Sequence, residues 1–242
     1  MPVNLLVAGP GVPSASEAGP SCYSRTVNEW ICLDYVRDRG GELVDATVEH
    51  VAITLVAVLL GLLIAFPLSL LARRVPRLES GILAVATGLY TIPSLALLPL
   101  LVPFTGLSPV TVVIVLALYA LTILVRAFLE GLRAVPEGVR EAARGLGYSR
   151  GGQLVKVELP LATPVVMAGL RVATVSTVAL TTIGAIVSYG GLGNLILGGV
   201  DTNFRAQLLA ASVLCVVLAV VLDVVIVLAE RALTPWTRGR TA

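Results

Sequence analysis

Residues 51–72 read VAITLVAVLLGLLIAFPLSLLA, twenty-two positions without a charge, closed by Arg73 and Arg74. An α-helix rises about 1.5 Å per residue and the hydrocarbon core of a bilayer is about 30 Å thick, so about 20 apolar residues cross it once. A second uncharged run covers residues 80–125 and is long enough for two crossings. Across the chain 57% of residues are hydrophobic and 13% are charged, whereas a soluble domain carries about a quarter charged residues. The chain reads as an all-α integral membrane protein.

Working outward, five spans are predicted, at about 50–72, 80–102, 110–128, 164–187 and 206–229. Pro93 and Pro99 fall inside the second span, where neighbouring helices are expected to satisfy the freed backbone groups. A long amphiphilic loop occupies 129–162. Residues 1–45 form an N-terminal extension, 46–235 the transmembrane domain and 236–242 a tail.

Charge sets the orientation. The first fifty residues hold Arg25, Arg37 and Arg39 against seven acids, while basic residues cluster at Arg73, Arg74 and Arg77, from Arg126 to Lys156, and at Arg231, Arg238 and Arg240. The positive-inside rule then places the N-terminus outside and the C-terminus in the cytoplasm. Basic clusters that flank apolar spans do not form a nucleic-acid-binding stripe.

Residues 1–20, rich in Gly, Pro, Ser and Ala, read as a flexible tail, and without a positive n-region a cleaved signal peptide is not expected. Residues 28–49 mix Trp30, Ile31, Leu33 and Tyr35 with acids and arginines. That pattern suits either an amphipathic helix on the membrane surface or a packed cap over the first span. Cys22 and Cys32 lie in the acidic N-terminal extension, where an extracytoplasmic location allows a disulfide. Cys215 reads as a small core residue.

The most informative segment is cytoplasmic. Glu141-Ala-Ala-Arg-Gly-Leu-Gly147 is followed, nine residues on, by Val157-Glu-Leu-Pro160. Pro136 and Glu137 supply a helix start, Ala142 and Ala143 permit close approach by another protein, and Gly145 and Gly147 break the helix. A second short helix over 148–156 is expected to end ahead of Pro160. The two helices together would make a rigid knob on the membrane face.

The pattern E-A-A-x-x-x-G-x(9)-I-x-L-P, with Val157 for the isoleucine, resembles that of the permease subunits of binding-protein-dependent ABC importers, with a type I importer permease-like fold. From about Gly41 onward the chain looks like the osmoprotectant branch, which imports glycine betaine, choline, carnitine or proline. Supporting stretches are Thr91-Ile-Pro-Ser-Leu95, Gly190-Gly-Leu-Gly193 and Asp223 … Glu230-Arg-Ala-Leu-Thr-Pro235. The methionine-importer branch, which also has a Gly-Gly-Leu-Gly turn, is the competing reading.

The resemblance implies a subunit of the bacterial plasma membrane with no catalysis of its own. ATP and Mg would sit on ABC ATPase partners that receive Glu141, Ala142, Ala143, Gly147, Leu159 and Pro160. A second permease, identical or a sister chain, would complete the path, and an extracytoplasmic binding protein would deliver solute.

Other residues carry weaker signals. Tyr90, Ser94, Tyr119, Thr177, Thr181 and Tyr189 offer hydroxyls and aromatic faces for a translocation path. Hydrogen bonding between helices explains the hydroxyls equally well, and Tyr119 and Tyr189 are candidates for a cation–π contact with a quaternary ammonium. Arg171 and Asp223 are expected at similar depth on antiparallel spans, where charges are costly unless paired. The glycines between 190 and 199 precede no Gly-Lys-Ser/Thr, so they read as a close-packed turn and not a nucleotide loop. His50 has no second histidine, so no metal site is expected. An intramembrane protease would need a Ser–His pair or H-E-x-x-H, both missing from the sequence. A channel would leave the 141–160 pattern unexplained.

Overall fold

The computed structural model describes residues 21–236, whose regular structure is helical from Leu33 onward. The predicted tail at 1–20 and residues 237–242 lie outside the described residues. A short helix α1 (Leu33–Asp38) precedes α2 (Gly40–Arg74). Then follow α3 (Pro76–Thr91), α4 (Ser94–Thr105) and α5 (Pro109–Arg133). The segment at 129–162 holds α6 (Glu137–Gly145) and α7 (Arg150–Gln153). A π-helical turn (Leu154–Glu158) leads into α8 (Leu159–Thr181), which ends in a 3-10 turn (Thr182–Val187). Helices α9 (Leu192–Asp201) and α10 (Arg205–Leu233) complete the bundle.

Four helical stretches are long and apolar enough to cross a membrane: α2, α5, residues 150–187 and α10. The bent pair α3–α4 has the length and apolarity of a fifth when its two helices are taken together, as a broken span or a re-entrant loop. The second predicted span is therefore not a straight helix, because its two halves meet at 99°. The cause is Pro93, whose ring disfavours helical geometry in the preceding residue; Ile92 is extended, at φ −69° and ψ 127°.

Helix α5 is the centre of the bundle. Val112, Val115, Leu116, Leu124 and Val125 are buried along it, together with Ala120 and Leu132. Helix α2 packs on α5 through a stripe of small residues, Ala57, Gly61, Ala65, Ser69 and Ala72, spaced one helical turn apart. At Gly61 an added Cβ would lie 3.2 Å from the Ala120 Cβ. In lipid the solvent does not drive helices together, and small residues let backbones approach closely enough for dispersion to do so. Gly131 against Ala162 and Gly169 against Ala127 repeat the device between α5 and α8. Helix α10 is the opposite case. Only 6% of its apolar window is buried, so its valine-rich surface is left uncovered by the rest of this subunit.

The N-terminal segment is a packed cap and not a separate surface helix, because α1 has only six residues and α2 begins two residues later. Cys22 and Cys32 are disulfide-bonded, with Cα atoms 5.7 Å apart. Tyr35 is 1% exposed and meets the Phe204 ring edge-on at 5.2 Å. Burial pushes the Tyr35 hydroxyl pKa up to about 12. The Asn28 side chain accepts from the Arg205 N–H at 3.0 Å and donates to the Asn203 carbonyl at 2.7 Å. It thereby satisfies an amide that α10 leaves free at its start, and the Trp30 ring covers the Arg205 guanidinium.

Candidate functional site

The loop between α5 and α8 is built from helix ends. Helix α6 starts at Glu137 behind Pro136, and the first-turn carboxylate of Glu137 accepts from Arg140 at 3.0 Å and Arg144 at 2.7 Å. Those two hydrogen bonds hold the Glu137 carboxyl below its usual range. The helix closes in a Schellman motif. The Gly147 N–H bonds the Arg144 carbonyl at 2.9 Å and the Tyr148 N–H bonds the Ala143 carbonyl at 3.1 Å. Gly147 takes φ +81° there, the left-handed conformation that only glycine adopts without strain. Ser149 then caps the next helix by accepting from the Gly152 N–H at 3.2 Å.

The second helix does not end ahead of Pro160 as the sequence suggested. It continues as one rod from Arg150 to Val187. In the π turn the Leu159 N–H reaches back five residues to the Leu154 carbonyl. This wider turn sits just before the proline, which can neither donate to the ladder nor accept a close carbonyl. The knob is thus one free helix, α6, hinged onto the cytoplasmic end of a transmembrane rod.

Its outer surface is open. Glu141, Ala142 and Gly147 are exposed, Leu159 and Pro160 are half-buried, and Ala143 is buried on the inner face of α6. Leu146 projects with 79% of its surface exposed, and Val139 and Tyr148 are exposed nearby. The inner side is held by charge. Glu158 is 3% exposed, pairs with Arg73 of α2, accepts from the Gln153 amide at 2.7 Å and has the Arg140 Nε 3.8 Å away. The sequence reading missed Arg73, Arg140, Gln153 and Glu158. In the sequence Arg73 reads as a topology charge, and the usable signal is a lone carboxylate between Val157 and Leu159.

The candidate path residues fall into two groups. Tyr90, Ser94 and Tyr119 lie at or under the α3–α4 bend. The Tyr119 hydroxyl donates to the Ile92 carbonyl, and the Tyr90 ring, 47% exposed, stands 5.6 Å from the Tyr119 ring. Tyr189 packs against the same apolar cluster. Thr177 and Thr181 are elsewhere, buried between α8 and α2. Each donates to a carbonyl one turn back, and Thr181 accepts from Thr54 at 3.1 Å. Within the subunit these two hydroxyls join helices and line no open surface.

His50 is fully buried and its Nε2 donates to the Val178 carbonyl at 3.0 Å. Beside it Gly191, at φ +54°, lies so close to His50 and the Ala46 carbonyl that an added Cβ would sit 2.7 Å from each. The glycine stretch is a close-packed turn. Arg171 and Asp223 form a two-point ion pair between α8 and α10, at 2.7 and 2.9 Å.

Comparison with known proteins follows the same lines. Residues 57–239 match the family described as "Binding-protein-dependent transport system inner membrane component". The choline transport system permease protein OpuBB of Bacillus subtilis is 34% identical over 203 residues, covering 84% of this chain and 94% of that protein. The osmoprotectant import permease protein OsmW of Salmonella typhimurium is 35% identical, covering 84% and 97%. Among solved structures, the inward-facing MetNI methionine ABC transporter superposes with a TM-score of 0.74 at 24% identity, over 81% of this chain and 98% of that one. An amino acid ABC transporter superposes with a TM-score of 0.69 at 17% identity, over 84% and 99%. The fold is that of type I ABC importer permeases, and the chain belongs to the binding-protein-dependent transport system inner membrane component family, as a multi-pass permease subunit of an ABC importer.

Proposed function

We propose that this subunit carries a compatible solute such as glycine betaine, choline, carnitine or proline, and that residues 137–160 receive the ATPase. The supporting observation for docking is the exposed α6 knob, with Glu141, Ala142, Gly147 and the projecting Leu146 on its open side. Burial of one large apolar side chain in a partner's groove contributes about 1.5–3 kcal/mol, and the Schellman turn holds that side chain out for the purpose.

ATP and Mg sit on two partner ATPase chains, and this chain supplies no catalytic group. Two permeases, identical or sister chains, enclose the path, and an external binding protein delivers solute at the face carrying the disulfide cap. Closure of the ATPase pair displaces the knobs, and the spans pass from inward-open to outward-open.

For the solute, the support is the printed identity of the relatives, a choline permease and an osmoprotectant permease. A methionine or amino-acid importer is the second reading, since that branch shares the Gly190-Gly-Leu-Gly193 turn and a methionine ABC transporter shares the fold. Uptake of labelled glycine betaine and of labelled methionine, under osmotic stress and with or without the gene, separates the two. Loss of betaine uptake alone is the expected result, and loss of methionine uptake alone moves the chain to the second reading.

A further inference from the structure

Glu158 is a carboxylate at a place where neither docking nor apolar packing requires one. Its side chain is 4% exposed, yet it faces Arg73 in the last turn of α2, Gln153, and Arg140 of α6. Arg140 in turn donates through Nη2 to the Leu132 carbonyl in the last turn of α5. The cytoplasmic ends of α2, α5 and the 150–187 rod, together with α6, are therefore joined around one buried carboxylate. Glu137 accepts from Arg140 as well and from Arg144 on the exposed side, so Arg140 bridges the buried carboxylate to an exposed one.

Taking such a pair out of water costs about as much as the pairing returns, and apolar residues of the same volume would hold the place as well or better. Stability alone therefore does not account for the arrangement. What an ion pair adds is a directed link that resists separation, and its position decides what it links. Displacement of α6 reaches the rod through the short link at residues 146–149. The other hydrogen bonds between α2 and the rod, from His50 to the Val178 carbonyl and between Thr54 and Thr181, lie 19 or more residues from Arg73 along α2, so at this end the Glu158–Arg73 pair is the polar link from the rod to α2.

We infer that Glu158 and Arg73 form a strut that carries movement of the docking helix into α2. They are positioning residues for coupling ATP hydrolysis to transport. The inference rests on the reading of residues 137–160 as the ATPase-docking loop.

The test uses the assembled complex of this chain with its ATPase, reconstituted in lipid vesicles with the binding protein and labelled glycine betaine. Glu158→Gln and Arg73→Gln are each expected to keep the ATPase bound and hydrolysing while solute moved per ATP falls about tenfold, within the range of coupling energies between sites. The charge swap of Arg73→Glu with Glu158→Arg is expected to restore most of that ratio. An unchanged ratio, even with lower yield or melting temperature, would mean a merely structural pair and would overturn the inference. If the ATPase fails to copurify with the unaltered chain, the docking reading falls first and takes the strut with it.

A second measurement needs neither a broken pair nor a known solute. Spin labels at Val75→Cys and Val155→Cys, both exposed positions, flank the strut in an otherwise intact complex. Their separation is expected to be the same in the nucleotide-free and ATP-bound complexes. A separation that changes between the two would show that α2 and the loop move apart, and would sink the proposal.

Discussion

Arg171 meets Asp223 fork to fork, Nε on Oδ1 at 2.7 Å and Nη2 on Oδ2 at 2.9 Å, a polar contact that ties α10 to α8. The two-point geometry uses both carboxylate oxygens, the arrangement in which arginine outperforms lysine. Asp223→Asn or Arg171→Gln leaves one partner unpaired at membrane depth. Each single change should lower the melting temperature of the purified protein by several degrees, and the exchanged pair should recover most of it. Melting curves of the two singles and the double, read as a cycle, check this.

At Gly147 the backbone sits at φ +81° with no atom within 4 Å of an added Cβ. Substitution there strains the turn without a clash. Gly147→Ala should cost the helix end about 1 kcal/mol, and Gly147→Asn less, because asparagine tolerates this conformation. Gly147→Asp adds a charge beside the knob's exposed tip, so it should insert normally in the membrane but lose ATPase-coupled uptake. Uptake per inserted subunit, measured for all three, should fall in the order Asn, Ala, Asp, and normal uptake by the aspartate variant would count against the docking loop.

The Tyr119 hydroxyl answers the carbonyl that the α3–α4 break sets free at Ile92. Tyr119→Phe keeps the ring and its contact with Tyr90 but orphans that carbonyl, at a cost of about 1–3 kcal/mol. The variant should fold with reduced thermal stability, and hydrogen exchange should rise at residues 92–97 more than elsewhere.

The disulfide cap should respond to reductant. A Cys22–Cys32 bridge closes a loop with a sequence separation of 10, and such bridges contribute about 2–4 kcal/mol. Reduction and alkylation should add two labels in this segment, in addition to any at Cys215. They should also raise hydrogen exchange over residues 21–40 while leaving α5 protected.

Alkali should loosen the same cap by another route. The Tyr35 hydroxyl is raised from an ordinary value near 10 to about 12 by burial. A group raised in the folded protein lends its stability fully below the unfolded value and loses it as pH climbs through the folded one. The cap should therefore hold below about pH 10 and weaken between about 10 and 12. Phenolate absorbance, compared between the native protein and Tyr35→Phe, should show this late-titrating component missing from the variant.

The amount legible in the sequence differed by feature. Membrane location, the four straight apolar spans and the helix start at Glu137 follow from hydropathy and local backbone preference, which act over a few neighbouring residues. The Arg171–Asp223 contact was foreseeable because a charge in lipid has few options. The 99° bend was not, since Pro93 in a membrane helix can kink, break or be absorbed, and the outcome depends on whether a donor such as Tyr119 stands opposite. Pro160 misled in the other direction, because a π turn absorbed it. Glu158 escaped notice since its partners Arg73 and Arg140 are 85 and 18 positions away, and only the assembled bundle brings them to it.

The small-residue stripe on α2 has a mechanical corollary. Where backbones touch through alanine and glycine, no long side chains lie between them to switch rotamer and absorb a shift, so α2 and α5 behave as a single plank. At about 1.5 Å per residue, the 35 residues of α2 measure about 50 Å from end to end. A tilt of a few degrees applied at the Arg73 end swings the Gly40 end through several ångströms, and the disulfide-bonded cap is carried on that far end like the tip of a lever.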